Sequence, residues 1–142
     1  AENIKNKLVE TYPNQKDKFE KNYNDFIKEL DGFKKEISEK MSKKTKKEFM
    51  IYHPALEYFL KGTGIEEEAI ESEGKEPSAK QIQEIISEAK EHGISTILVQ
   101  PQFPKQSIDI IAKEIPNAKI VTFNTDEENV FENLRKFVDS LQ

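Results

Sequence analysis

The stretch Phe49-Met50-Ile51-Tyr52-His53-Pro54-Ala55-Leu56-Glu57-Tyr58-Phe59 decides the fold. Glu48 to Tyr52 reads as a short strand, and its nearly unbroken apolar character suits a strand covered on both faces, as in parallel sheets. Pro54 then reads as the opening of a helix over Ala55 to Lys61, because proline is tolerated in a helix's first turn. Gly62-Thr63-Gly64 stops that helix. His53, one of only two histidines in the chain, falls at the C-terminal end of the strand. In parallel α/β sheets that edge is where ligands bind.

Working outward in the C-terminal direction, Ile65 to Ile70 is ambiguous. Its three consecutive glutamates are poor strand formers, but its place between two helices favours a short edge strand. Glu71 to Pro77 reads as a polar loop. Ser78 caps a helix from Ala79 to about His92, with Gln81 completing a capping box and Gly93 as the stop. Thr96 to Val99 is a buried strand, followed by a turn over Gln100-Pro101-Gln102-Phe103-Pro104. Lys105 to Ile115 is a helix, and Lys119 to Phe123 a fourth strand. After Asn124-Thr125-Asp126, a last helix is expected from about Glu127 to Leu141. The order βαβαβαβα predicts a four-stranded, mostly parallel sheet with flanking helices. Its C-terminal edge would gather Tyr52-His53-Pro54, Gln100-Pro101-Gln102 and Asn124-Thr125-Asp126.

Upstream, Ile4, Leu8 and Val9 recur at helical spacing until Tyr12-Pro13-Asn14 interrupts. A second helix follows with the stripe Phe19, Tyr23, Phe26, Leu30, Phe33, Ile37 and Met41, at intervals of 4, 3, 4, 3, 4 and 4. This is a one-sided helix of about 30 residues, roughly 45 Å long at 1.5 Å per residue. Such a length exceeds what one small domain needs. Residues 1–47 therefore read as a long linking helix and residues 48–142 as an α/β lobe. The chain starts at Ala1 inside a helical pattern, so it reads as a processed or truncated product.

Composition narrows the function. Charged residues make up 35% of the chain and the net charge is −5, which argues against nucleic acid as a partner. The run Lys43-Lys44-Thr45-Lys46-Lys47 is a local exception, read as a solvated helix end. There is no cysteine, which excludes disulfides and thiolate metal sites. No apolar run reaches the ~20 residues that would span a bilayer. A glycine-rich phosphate loop, GxGxxG and GxSxG are all absent, and no serine is paired with a histidine at readable spacing, so an enzyme is not expected.

His53, Asp126 and Asn124 are the candidate metal ligands, since imidazole and carboxylate are ordinary zinc donors. Two protein ligands do not complete a site, because structural zinc takes four and catalytic zinc three. His92, before Gly93, reads as a favourable charge at a helix C-terminus. Gln100 and Gln102 read as turn residues or as groups that orient a ligand or loop. Glu66-Glu67-Glu68, with Glu71 and Glu73, reads as a solvated face.

The pattern Tyr12-Pro13-Asn14, Phe19, Asn22-Tyr23, Phe26, Leu30 resembles the backbone helix of the zinc/manganese-type (cluster A-I) solute-binding proteins of ABC transporters. Phe49 to Phe59, Gly74-Lys75-Glu76-Pro77-Ser78 and Ile97 to Phe103 are similar to three further landmarks of that family. The resemblance covers the linking helix and C-terminal lobe only. It implies capture of Zn²⁺ or Mn²⁺ outside the membrane, in a cleft between two lobes, and delivery to an ABC permease. The missing N-terminal lobe would supply two histidines. This lobe would supply one histidine, matched by His53, and an aspartate after the last strand, matched by Asn124 on close alignment or by Asp126 with two extra residues. A histidine at position 53, where manganese members carry glutamate, implies zinc before manganese. The family often has glutamate where Gln100 stands. The resemblance also implies an extracytoplasmic location, and an apolar face near residues 4–20 that is exposed or covered by a second copy in a homodimer. The competing expectation is a standalone flavodoxin-like interaction module without a metal role.

Overall fold

A computed structural model describes residues 1–72 and 74–142. Glu73 lies outside the described residues. The chain divides into two compact units, Ala1–Glu39 and Lys40–Gln142.

The first unit opens with helix α1 (Glu2–Thr11), then a 3₁₀ turn over Pro13–Gln15. Tyr12 leaves the helical region at φ −130° and ψ 67°, as a residue before proline is pushed to do. Helix α2 (Lys16–Ser42) follows and runs on into the second unit. Burial rises along its stripe. Phe19, Tyr23 and Leu30 are half-buried and Phe26 is exposed, whereas Phe33, Ile37 and Met41 are buried. No residue of α1 is buried.

The second unit is a four-stranded parallel sheet of β1 (Glu48–Ile51), β2 (Glu66–Ala69), β3 (Thr96–Val99) and β4 (Lys119–Thr122). The spatial order is β2-β1-β3-β4. The two central strands carry the apolar runs: Phe49, Met50 and Ile51 are buried, as is all of β3. The glutamates of Ile65 to Ile70 sit on an edge strand, which resolves the ambiguity. Ile65 and Ile70 on either side are buried and anchor it.

Helices cover both faces. On one, Met50, Tyr52, Ile97 and Val99 pack with Ala89 of helix α4 (Ala79–His92) and with Ile108 and Ile111 of helix α5 (Gln106–Glu114). On the other, Phe137 of helix α6 (Val130–Ser140) meets the rings of Phe49, Phe123 and Phe59 at 5.0, 5.9 and 6.2 Å. Alternation along β1 divides its side chains between these two layers. The expected signals of α4 are in place. Ser78 and Gln81 form the capping box, and Gly93 ends the helix at φ 67°.

Two helices differ from expectation. Helix α3 covers only Glu57–Leu60 rather than Ala55 to Lys61. Leu56 leaves the helical region at φ −113° and ψ 2°, so the helix starts only at Glu57, and the Glu67 carboxylate accepts from the free N–H groups of Ala55 (3.4 Å) and Leu56 (3.1 Å) just before it. Helix α6 begins at Val130, not near Glu127, because Asn129 caps it by accepting from Glu132 N–H at 3.1 Å. The Asn133 side chain also donates to the Asn124 carbonyl at 2.7 Å, which ties the start of the preceding loop to the helix.

Candidate metal centre

The C-terminal edge of the sheet forms because all four strands point the same way. Ladder bonds carry pairing past the strand ends: Ile70 N–H reaches Ile51 O, Glu71 N–H reaches Tyr52 O, Tyr52 N–H reaches Leu98 O, and Phe123 N–H reaches Val99 O, all within 2.9–3.1 Å. The loops after β1, β2, β3 and β4 are therefore brought side by side.

His53 leaves the end of β1 with its side chain about half exposed. Three groups hold it. Gln100, fully buried, accepts from His53 N–H at 3.3 Å and donates to His53 C=O at 2.6 Å. These two backbone partners fix the orientation of the Gln100 amide, since only its oxygen can accept and only its nitrogen can donate. The Phe103 ring lies 5.5 Å from the imidazole and is itself stacked on Tyr52 at 4.8 Å. The Glu71 carboxylate lies 2.7 Å from His53 Nδ1. Tyr52 completes the surround. Burial, then the hydrogen bond and charge of Glu76 and the charge of Glu71, push its phenol up to about 12, so it remains a neutral donor to Glu76.

Asn124 and Asp126 follow β4. Asn124 Oδ1 accepts from Asp126 N–H at 3.1 Å, a local side-chain turn. Asp126 is exposed. Gln102 Nε2 donates to Thr125 Oγ1 at 3.4 Å, which ties the turn after β3 to this loop. Since β3 lies between β1 and β4, the strand ends that carry His53 and Asp126 are roughly 10 Å apart at ~4.8 Å per strand. A shared ion would need both side chains to lean over the Gln100–Gln102 turn. Among the described residues, no three His, Cys, Asp or Glu side chains are grouped so as to hold a metal ion.

His92 lies away from this edge. It pairs through Nδ1 with Glu48 Oε2 at 2.5 Å, and that hydrogen bond and charge raise its pKa. The residue that sequence reasoning missed is Glu71. It belongs to the glutamate-rich stretch that reads as a solvated face, yet its side chain is only 9% exposed and faces the histidine ring. The signal was the parallel register. Glu48 pairs with Glu66 and Ile51 with Ala69, an offset of 18 that continues to His53 and Glu71.

A four-stranded parallel sheet with helices on both faces and a histidine at the end of a central strand, preceded in sequence by a long helix, defines the class of α/β lobes. Within that class the chain belongs to the ZnuA family, "zinc-uptake complex component A periplasmic", whose family model matches residues 1–142. It is 32% identical over 129 residues to the high-affinity zinc uptake system protein ZnuA of Bacillus subtilis (strain 168), covering 89% of this chain and 40% of that protein. It is 30% identical over 116 residues to the zinc-binding lipoprotein AdcA of Streptococcus pneumoniae serotype 4, covering 80% of this chain and 23% of that one. A crystal structure of ZnuA superposes with a TM-score of 0.90 at 27% identity, over 98% of this chain and 54% of the other. The chain thus spans about half or less of the proteins it matches.

Proposed function

We propose that this chain is the linking helix (residues 1–47) and C-terminal metal-binding lobe (residues 48–142) of a solute-binding protein that captures zinc for an ABC importer. The observation that carries this reading is His53, held at a strand's C-terminal end by its backbone and by one ring nitrogen, with about half its side chain open to a ligand. Asp126 is the second ligand in preference to Asn124, because the Asn124 oxygen is engaged by the Asp126 N–H. An imidazole donor at position 53 favours zinc over manganese. The role is capture and release without a chemical step, outside the cytoplasm, with a membrane permease as recipient. Among the described residues no helix is long and apolar enough to cross a membrane.

Two protein ligands make an incomplete zinc site, so the remaining ligands come from a second lobe. The exposed apolar side chains of the first unit support this. Ile4, Tyr12 and Phe26 are 67%, 52% and 41% exposed, apolar surface suited to cover by a second lobe or by a second copy of the chain. Calorimetry on the 142-residue chain tests the site: zinc should bind weakly, and His53→Ala should abolish binding. Unchanged affinity in that variant would remove His53 from the site. Sedimentation velocity tests the homodimer, and a concentration-independent monomer would leave only the second lobe as cover.

A further inference from the structure

The arrangement around His53 goes further than naming it as a ligand. We infer that Glu71 is a positioning residue, which sets the tautomer and ring orientation of His53 so that Nε2 is the metal-binding atom. This rests on the reading of His53 as a zinc ligand.

Four observations carry it. The backbone bond from Glu71 N–H to Tyr52 O, at 3.1 Å, continues the β1–β2 ladder and seats Glu71 beside His53. Oε1 of Glu71 then lies 2.7 Å from Nδ1 of His53. An ionised carboxylate can only accept a hydrogen bond, so Nδ1 carries the proton. In the neutral ring that leaves the lone pair on Nε2, the form a metal requires. Burial separates the two partners in the way the role demands. The Glu71 side chain is 9% exposed and the His53 side chain 49%, so the carboxylate lies behind the ring and the ring faces outward. Finally, Gln100 pins both backbone groups of His53, while Phe103 lies against the ring. With the backbone fixed and one face of the ring flanked, the hydrogen bond to Glu71 selects the remaining torsion.

Gln100 cannot play this part, because its amide is engaged by the His53 backbone. Glu71 is the carboxylate that the ring meets. Carboxylates that orient a ligating histidine commonly contribute 10–100-fold in metal affinity, and that range is expected here.

The test uses two readouts on the same 142-residue chain. Long-range ¹H–¹⁵N NMR of the metal-free protein, at a pH where both imidazoles are neutral, reports which nitrogen carries the proton. With only two histidines present, His92→Gln identifies the His53 signals. Wild type should show the proton on Nδ1 of His53. Glu71→Gln keeps an acceptor without the charge, so it should retain that tautomer and bind zinc more weakly, by competition with a chromogenic chelator. Glu71→Ala should show mixed tautomers and a loss of 10–100-fold in affinity. If Glu71→Ala is not folded by circular dichroism, the wild-type tautomer and the Glu71→Gln affinity decide. Wild-type protein with the proton on Nε2 would overturn the inference. So would zinc affinities within twofold of wild type in each folded variant, with His53→Ala still abolishing binding; the site would then stand and Glu71 would not. If His53→Ala itself leaves zinc affinity unchanged, the site reading fails and the positioning role fails with it, even where the tautomer is as expected.

Discussion

Gln100 offers the sharpest test of how the edge is built. Its side chain is wholly buried and is bonded to both polar backbone groups of His53. Gln100→Leu keeps nearly the same volume, so the cavity contribution is small, and the change isolates the hydrogen bonds. Each buried backbone group left without a partner costs about 1–3 kcal/mol. His53 is partly exposed, so water can replace part of that loss. The expected destabilisation is therefore about 2–4 kcal/mol. For a chain of this size that corresponds to a fall in Tm of roughly 6–12 °C. Urea unfolding followed by circular dichroism should show a lower midpoint with an unchanged slope, since the surface exposed on unfolding is the same. Gln102→Leu is the control. Gln102 is exposed and its bond to Thr125 is long at 3.4 Å, so a change within about 0.5 kcal/mol is expected. A Gln100→Leu protein as stable as the Gln102→Leu protein would refute the reasoning, because the bridge to His53 would then contribute nothing.

Two further outcomes follow from the core and from the other histidine. Phe137→Ala removes the ring at the centre of the Phe49, Phe59 and Phe123 cluster and should cost about 3–5 kcal/mol, read from urea midpoints. A loss below about 1 kcal/mol would mean that the cluster collapses onto the vacated space. His92 has a raised pKa in the folded protein, through Glu48 first. Its stabilisation is thus fully present below the unfolded value of about 6.5 and fades as pH rises through the raised folded value. The stability difference between wild type and His92→Gln should be largest in mild acid and shrink at alkaline pH. A difference independent of pH would contradict the pairing.

What could be read from the chain, and what could not, divides along a physical line. Phe49 to Tyr52, Thr96 to Val99, the Ser78 cap and the Gly93 stop depend on neighbours in sequence, and each lies where local pattern places it. The short α3 starts after Leu56, whose backbone is not helical, and the N–H groups before it are met by Glu67, a residue of the next strand that no local pattern brings there. The late start of α6 depends on which of several polar residues between Asn124 and Asn129 acts as the cap. Glu127 and Glu128 are acceptable in a first turn by propensity alone, and nothing local singles out Asn129. At the site, His53 was legible because a lone histidine ended an apolar strand. Gln100 reads equally as an orienting group or a turn residue from sequence, and its burial against the His53 backbone makes it the former. Glu71 was hidden among glutamates, since only the register of two parallel strands separates it from its solvated neighbours.

The same register has a consequence for how the molecule behaves in concentrated solution. Strand β2 is an outer strand, and one side of its backbone has no strand partner within the sheet. Such an edge is a template on which another chain can add and begin to aggregate. Here the strand reads Glu66-Glu67-Glu68-Ala69. A second copy approaching edge to edge would bring two rows of carboxylates together, and their repulsion opposes the encounter. The protection has a weak point at Glu68, whose pKa is raised by burial and by the nearby Glu88, Glu48 and Glu66. As acid neutralises it ahead of an ordinary carboxylate, the edge loses one of its three charges. Colloidal stability, as distinct from folding stability, should therefore decline first from this side of the sheet.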